Sequence, residues 1–318
     1  MNSRRIGEIA IALNVVAMPA AHASCSASFC AVNTLWETQA AWNEPGARLD
    51  LRFEYLDQDQ PRAGRDAVGV CEISKHDDEV RTVNRNLIAT LDYSFNPRWG
   101  LSVQVPWVTR EHSHIHNHSG EQIPEAWDLD GVGDIRVIAR RQLMQVGDRD
   151  AGMSAGVKLP TGEYDQTNDD GDLAERSLQI GTGTTDIIAG FYYNALLRPG
   201  SSPLRGFAQL QTQYALDEHK DYRPGYQYSL DTGLAYGLNA KWNALLQLNT
   251  QIKGRDRGDE AEPQDTGGSF VWLSPGASYG IGDHYRVYGF VQAPLLQRVN
   301  GVQLTADVAY VVGVNARF

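Results

Sequence analysis

The sequence predicts an all-β fold: a transmembrane antiparallel up-and-down β-barrel of about twelve strands. Three observations lead to this prediction. Residues 302–318 alternate apolar and polar side chains, about twelve segments of the chain share such alternation, and the connections between them are alternately short and long. Strand side chains point to the two faces in turn, so alternation indicates one apolar and one polar face. Strands of soluble proteins usually run about 5–6 residues, and residues 302–318 form a much longer segment.

The alternating segments follow one another from residue 49 to the end of the chain. In the first, Leu49 and Leu51 lie on one face, and Asp50 and Arg52 lie on the other. The same pattern predicts strands at residues 49–55, 87–95, 99–107, 135–140, 153–160, 186–196, 208–214, 228–236, 242–248, 269–281, 285–295 and 302–318. Twelve is an even number, as in bacterial single-chain barrels.

The connections indicate the orientation of this barrel. Tight turns such as Asn96-Pro97-Arg98 and Gly147-Asp148 follow the even-numbered strands, whereas most odd-numbered strands are followed by long polar links. Only the last hairpin, around residues 298–301, departs from the pattern. In membrane barrels short turns face the periplasm and long loops face the exterior. A soluble sandwich gives no reason for this asymmetry.

The amino-terminal region predicts export. Arg4 and Arg5 precede an apolar stretch, and Ala21-His22-Ala23 has the form of a signal-peptidase site, so we expect a signal peptide at residues 1–23. Residues 24–46 show no clean period and are expected to form a periplasmic segment or small plug, with the barrel at 47–318.

The net charge of −11 argues against a nucleic-acid partner.

Three motifs occur in order at residues 133–137 (GDIRV), 156–162 (GVKLPTG) and 181–186 (GTGTTD). Together they resemble the outer-membrane barrel family named for the meta-pathway of phenol degradation, over roughly residues 87–318. The resemblance implies a transport-type barrel in the cell outer membrane, with outer-membrane lipid and lipopolysaccharide as its surroundings. Phe318 resembles the terminal aromatic residue through which such chains engage the barrel-assembly machinery.

Charged residues are expected inside the barrel. If the apolar faces point to lipid, the opposite positions line the lumen: Asp50, Arg52, Glu54, Asp92, Asp134, Arg136, Arg140, Lys158, Asp186, Asp231, Arg286 and Asp307. Two interpretations stay open. The charges could pair and nearly close the bore, or they could line a narrow channel for a small polar or amphipathic solute. The family resemblance adds aromatic solutes to that class.

Four alternating histidines, His112, His114, His116 and His118, follow the third predicted strand, and we expect them in an extracellular loop. An extended segment would place all four imidazoles on one side, where they could bind zinc, copper or nickel. The alternative is a solvated polar loop. We expect no required cofactor, and a surface metal-binding barrel is the alternative function to a channel.

Cysteine spacing suggests one local disulfide. Cys25 and Cys30 are expected to pair in the oxidising periplasm, although Cys71 could instead join one of them. We expect no enzymatic activity, because a barrel enzyme would need a Ser and a His together near the membrane interface. The candidate Ser113 beside His112 and His114 is too local for that arrangement.

Overall fold

The computed structural model describes residues 45–73, 78–118 and 121–318, without the side chains of Asp78, Asn117, His118 and Glu121. The predicted signal peptide and nearly all of the predicted segment 24–46 lie outside the described residues. No helix in the described part of the chain is long and apolar enough to cross a membrane.

The described chain is almost entirely β-structure, with one short 3₁₀ turn at Pro263–Asp265. Its strands are β1 (Gly46–Gln58), β2 (Gln60–Ala63), β3 (Asp66–Ala67), β4 (Asp78–Asn96), β5 (Trp99–His118), β6 (Glu121–Val132), β7 (Ile135–Val146), β8 (Arg149–Leu159), β9 (Asp186–Arg198), β10 (Leu204–Ala215), β11 (Gln227–Gly237), β12 (Trp242–Lys253), β13 (Gly268–Ile281), β14 (Tyr285–Val299), β15 (Val302–Thr305) and β16 (Ala309–Arg317).

Twelve of these strands close into an antiparallel barrel, as the sequence predicted. The order around the wall is β1, β4, β5, β7, β8, β9, β10, β11, β12, β13, β14 and β16, and β16 pairs with β1 to close it. Every backbone group of a closed wall has a partner, which is what a strand structure needs within lipid. Each predicted strand corresponds to one wall strand, although most wall strands are longer than predicted.

The histidine segment lies in a strand rather than in the predicted loop. The outer half of β5 pairs with β6, while its inner part pairs with β7. Strands β6 and β7 therefore follow each other along the same edge of β5, separated only by Gly133-Asp134. Strand β6 extends the fourth wall strand outward and is not a thirteenth member of the barrel. Strand β6 was not predicted, because residues 108–134 were interpreted as the long polar link between the third and fourth predicted strands.

The predicted closing strand 302–318 is interrupted. Strand β16 begins only at Ala309, and Ala306-Asp307-Val308 form a bend that separates it from β15. Strand β15 instead pairs with β2, which also pairs with β3. This three-stranded sheet sits at the long-loop end of the barrel. Its central residue Leu304 is fully buried, which explains why an apolar alternation continues through a segment outside the wall.

The outer surface of the wall is apolar. On β1 and β4, Leu51, Phe53, Leu87 and Leu91 point outward and are exposed, while the intervening side chains are mostly buried inside. Trp99 and Trp107 are exposed on one face of β5, eight residues apart. On a tilted strand that spacing corresponds to roughly 20 Å, near the height of the lipid-facing band of such barrels.

Candidate functional site: the charged half of the barrel lumen

Lys158 is the centre of an ion-pair cluster inside the barrel. Its Nζ lies 2.8 Å from Oδ2 of Asp134 and 3.2 Å from Oδ1 of Asp186. Gln213 donates a hydrogen bond of 2.6 Å to the second oxygen of Asp186. All three charged side chains are predicted lumen residues, and each belongs to a different one of the three sequence motifs. The fold therefore brings the three motifs to one place.

The cluster also holds the loop of residues 160–185 that joins β8 to β9 (the β8–β9 loop). Asp134 accepts hydrogen bonds from the backbone N–H of Gly162 and of Thr182, both 3.1 Å long. Gly162 and Gly181 touch backbone to backbone, so that a Cβ added at Gly181 would lie 2.1 Å from the Gly162 carbonyl oxygen. Glycine is required here for close approach. The two ends of the loop are thus fastened together at one carboxylate.

The body of the β8–β9 loop packs against the outer extension of the wall. Leu178 and Ile180 join Trp127 and Leu129 of β6 in a buried apolar cluster. The indole N–H of Trp127 donates to the carbonyl oxygen of Asp172 at 3.0 Å. The loop is consequently attached to β6, and its residues 176–182 form part of the roof of the lumen. From the sequence, the motifs at residues 156–162 and 181–186 were singled out at the ends of this loop, and no role over the lumen was predicted for the rest of it.

Arg176 fixes the loop from inside. Its guanidinium donates to the carbonyl oxygens of Tyr164 at 2.8 Å and Thr182 at 3.0 Å, and it lies 5.0 Å from the ring centroids of Tyr164 and Tyr222. Burial lowers the pKa of Arg176, and the two neighbouring tyrosines oppose that shift. Cation–π contacts offset part of the cost of removing a guanidinium from water. No motif or periodicity indicated this residue.

Beneath the loop lies a cavity of about 350 Å³. Among the residues predicted to line the lumen, it is bordered by Arg52, Glu54, Asp134, Arg136, Lys158, Asp186 and Asp231. Counting all lining residues, the wall and roof contribute six basic and four acidic side chains. The cavity therefore has an excess of positive charge although the whole chain carries −11.

Within this cavity Arg52 and Arg136 differ in their contacts. Arg52 pairs with Glu54 across 2.7 Å on the same strand. Arg136 lies within electrostatic range of Asp186, Asp134 and Glu54 but makes no hydrogen bond to them. Arg136 therefore lines the cavity as a basic side chain with carboxylates nearby but not hydrogen-bonded to it.

The other predicted lumen residues lie at different depths. Asp92 and Arg140 line a second cavity of about 70 Å³ nearer the short turns, where Asp92 forms an ion pair of 2.6 Å with Arg48. The two cavities adjoin, since Ser102, Ile138, Gln209 and Gln211 line both. Arg286 borders a separate cavity at the short-turn end.

Asp50 and Asp307 depart from the expected pattern. Asp50 is buried and accepts hydrogen bonds from Tyr288 at 2.9 Å and Asn315 at 3.3 Å, so it lies against the opposite, filled side of the lumen. The prediction for Asp307 is wrong. This residue lies in the bend between β15 and β16 and is exposed, because the chain leaves the period-two alternation there.

The filled side of the lumen contains an apolar cluster. Its buried members are Phe207, Ala235, Leu245, Tyr288, Phe290 and Val311. These residues occupy inward positions of β10, β11, β12, β14 and β16, whereas other inward positions of β10 to β12 are polar and line the large cavity. The sequence-based prediction of a polar lumen throughout did not include this cluster. Aromatic residues at inward positions were the signal that could have indicated it.

Of the three predicted histidine ligands whose side chains are described, two lie together with a carboxylate and one bonds elsewhere. His114 and His116 lie together with Glu125, their candidate ligand atoms all within 4.8 Å of one another. His112 is buried beside them but bonds to the Thr82 hydroxyl at 2.8 Å. Burial, followed by the charges of His114 and Arg110, lowers the pKa of His112. The side chain of His118 lies outside the described residues.

Two of these histidines are buried, which excludes the alternative of a fully solvated loop for this segment. Exposure is 2% for His112 and 5% for His114.

The predicted disulfide of Cys25 and Cys30 lies outside the described residues. Cys71 is exposed, and its Sγ accepts a hydrogen bond from the Gln122 side chain at 3.2 Å.

Comparisons with known proteins agree with the barrel. Residues 90–293 match the model of the family described as "Putative MetA-pathway of phenol degradation". No curated protein sequence is significantly similar to the chain. The crystal structure of an outer-membrane channel from Pseudomonas putida F1 superimposes with a TM-score of 0.65 at 14% identity, covering 86% of this chain and 96% of the other.

More remote barrels also match. The NanC porin gives a TM-score of 0.48 at 10% identity, covering 85% of this chain and all of the other. The CymD monoaromatic hydrocarbon channel gives 0.39 at 9% identity, covering 91% and 94%. Likeness at this level supports no inference about solutes. The fold, the apolar outer face, the family model and the Pseudomonas putida structure identify an outer-membrane β-barrel.

Proposed function

The chain belongs to the family of the MetA pathway of phenol degradation, and from this premise we propose that it is a channel for small polar or amphipathic solutes, including aromatic ones. The observation that carries the proposal is the cavity of about 350 Å³ inside the barrel wall. Its volume falls in the range of pockets that hold small molecules. A lumen filled only by paired charges would leave no such space.

The lining of the cavity favours anionic solutes. Six basic side chains face four acidic ones, and the low-dielectric wall strengthens the resulting potential. Gln209, Gln211 and Gln213 add neutral hydrogen-bonding groups along one wall, which suit a solute with both polar and apolar parts. Aromatic carboxylates combine these properties. The description of the family, which names phenol degradation, supports an aromatic solute, and that of the Pseudomonas putida relative as an outer-membrane channel supports passage through the barrel.

The test is ion selectivity in planar lipid bilayers containing the refolded protein. We expect discrete conductance steps and a reversal potential that indicates anion preference in a potassium chloride gradient. Arg136→Gln removes a cavity charge and should reduce the anion-to-cation permeability ratio about twofold. Arg149→Gln is the matched control, because Arg149 is exposed near a short turn and outside both lumen cavities.

Two results would contradict the proposal. Folded protein that leaves the bilayer insulating under all voltages would show that the lumen is closed and that the charges only brace it. An equal change of selectivity in Arg136→Gln and Arg149→Gln would show that the cavity does not determine which ions pass. Folding is checked for each variant by the shift in electrophoretic mobility that barrels show on heating.

A further inference from the structure

A histidine–carboxylate cluster lies at the outer end of the barrel, on the inward face of the β5–β6 extension. His114 of β5 and Glu125 of β6 are directly opposed in the antiparallel pairing. Because opposed residues share a face, their side chains meet, and Nε2 of His114 lies 3.1 Å from Oε2 of Glu125. His116, two residues along β5, points to the same side, which brings three candidate ligands within 4.8 Å.

This set has the composition of a transition-metal site. Two imidazoles and one carboxylate are a known ligand combination for zinc, with the fourth position left for water. Imidazole nitrogens also suit copper and nickel. The site is built on two paired strands rather than on a loop tip, so its donor atoms are held close together before any ion arrives. Trp127 packs against His114, with ring centroids 4.8 Å apart, and restricts the rotation of that imidazole.

The second nitrogen of His114 faces the β8–β9 loop. Its Nδ1 lies 3.9 Å from Oε1 of Glu175, the residue that precedes the loop's anchoring Arg176. A histidine that binds a metal through one nitrogen usually donates its other N–H to a carboxylate or carbonyl. Binding of an ion at Nε2 would make the Nδ1–H a stronger donor and draw Glu175 toward it.

A further carboxylate lies beside this pair. Glu79 of β4 is buried, and its Oε2 accepts the backbone N–H of Leu304 at 3.1 Å. Glu79 is directly opposed to His114 in the pairing of β4 with β5. Three carboxylates and two imidazoles thus surround a small space at the seam between the wall, the β8–β9 loop and strand β15.

We propose that His114, His116 and Glu125 bind one divalent transition-metal ion, such as zinc, and that the bound ion, acting through His114 and Glu175, holds the β8–β9 loop closed over the cavity. His112 is a packing neighbour and not a ligand. The regulatory part rests on the proposed channel function, because it concerns access to the same cavity. The binding part stands independently of it.

The first experiment measures zinc binding to the folded full chain in detergent by equilibrium dialysis against zinc chloride. We expect one ion per chain with a dissociation constant of about 1 µM or tighter. His114→Ala and Glu125→Gln should each weaken binding by about 100-fold, and Glu175→Gln, which removes a partner of a ligand, by about tenfold. His284→Ala is the control, since His284 is exposed in a short turn at the other end of the barrel.

The binding proposal is overturned if zinc affinity is unchanged in the double variant His114→Ala, Glu125→Gln. It is also overturned if wild-type affinity is weaker than about 100 µM, the level of adventitious surface binding. Both variants are checked for the heat-dependent mobility of a folded barrel, so that loss of binding cannot be confused with loss of folding. If His114→Ala fails to fold, His116→Ala provides a second test, because His116 is less buried than His114.

The second experiment measures bilayer conductance while zinc chloride is added to the side of the long loops. We expect zinc to reduce the wild-type open probability several-fold. At a zinc concentration that saturates both the wild type and the about tenfold weaker Glu175→Gln variant, the variant should lose most of this conductance response. Zinc that binds without changing conductance would overturn the regulatory part alone. A wild type that binds zinc but never conducts would overturn the channel function and leave the metal site standing.

Discussion

The two halves of the barrel interior are built from the same strand pattern but hold different contents. One half lies toward the long loops, where inward positions carry Arg52, Glu54, Arg136 and the cluster around Lys158, and a cavity of about 350 Å³ remains open. The other half lies nearer the short turns on the side of β10 to β16, where Phe207, Leu245 and Phe290 pack on one another.

The difference arises from how well each kind of side chain can fill space. Apolar side chains pack densely and exclude water, so an aromatic cluster closes its half of the lumen. The charged side chains of the other half do not fill the space that the wall encloses, and the cavity remains there. A barrel of twelve strands is wide enough to have both. The filled half braces the wall, and the charged half holds the cavity through which we propose that solutes pass.

The largest effect is expected from breaking the ion-pair cluster. Lys158→Met leaves Asp134 and Asp186 buried without their cation, which typically costs about 3–5 kcal/mol. Because Asp134 also fastens both ends of the β8–β9 loop, we expect that loop to become accessible to protease. Urea unfolding in detergent and limited proteolysis measure the two effects. Lys241→Met, at an exposed position in a short turn, should change neither, and an intact loop in Lys158→Met would contradict the assigned role.

The filled half is tested by creating space in it. Phe207→Ala removes a buried ring and should destabilise the barrel by about 3 kcal/mol. Since the ring lies inside the wall, the same change should widen the lumen and raise single-channel conductance. Phe191→Ala is the matched control, because Phe191 lies on neighbouring β9 but points outward to lipid with 59% of its surface exposed. Unchanged conductance in Phe207→Ala would show that the two halves are not connected.

The smallest effect is expected at the boundary between the halves. Tyr288 belongs to the apolar cluster, yet its hydroxyl donates to Asp50 at 2.9 Å. Tyr288→Phe removes that donor while keeping the ring, and the buried carboxylate retains Asn315 as a partner. We expect a loss of about 1.5 kcal/mol with unchanged conductance. The same urea titration measures the loss. An effect as large as that of Phe207→Ala would contradict this expectation and show that the barrel wall depends on the hydrogen bond between Tyr288 and Asp50.

The barrel was largely predictable from residue alternation, and the candidate site only in part. Leu49 to Arg52 indicated both faces of β1 correctly, because one face must meet lipid wherever the strand spans the membrane. The bend at Asp307 and the outward extension β6 were not predictable in this way. Both lie beyond the lipid, where neighbouring loops rather than the bilayer decide which side chains are buried.

The sequence by itself determined the strand order, the closed barrel and the apolar outer face, since each follows from local alternation and from the requirement that lipid imposes on every wall strand. Only the tertiary structure decided that Asp134, Lys158 and Asp186 meet, that Arg176 secures a loop over the cavity, and that Glu175 approaches His114. Those contacts join residues distant in the chain, and their positions depend on how the barrel curves and how its loops fold inward. No local pattern encodes that curvature.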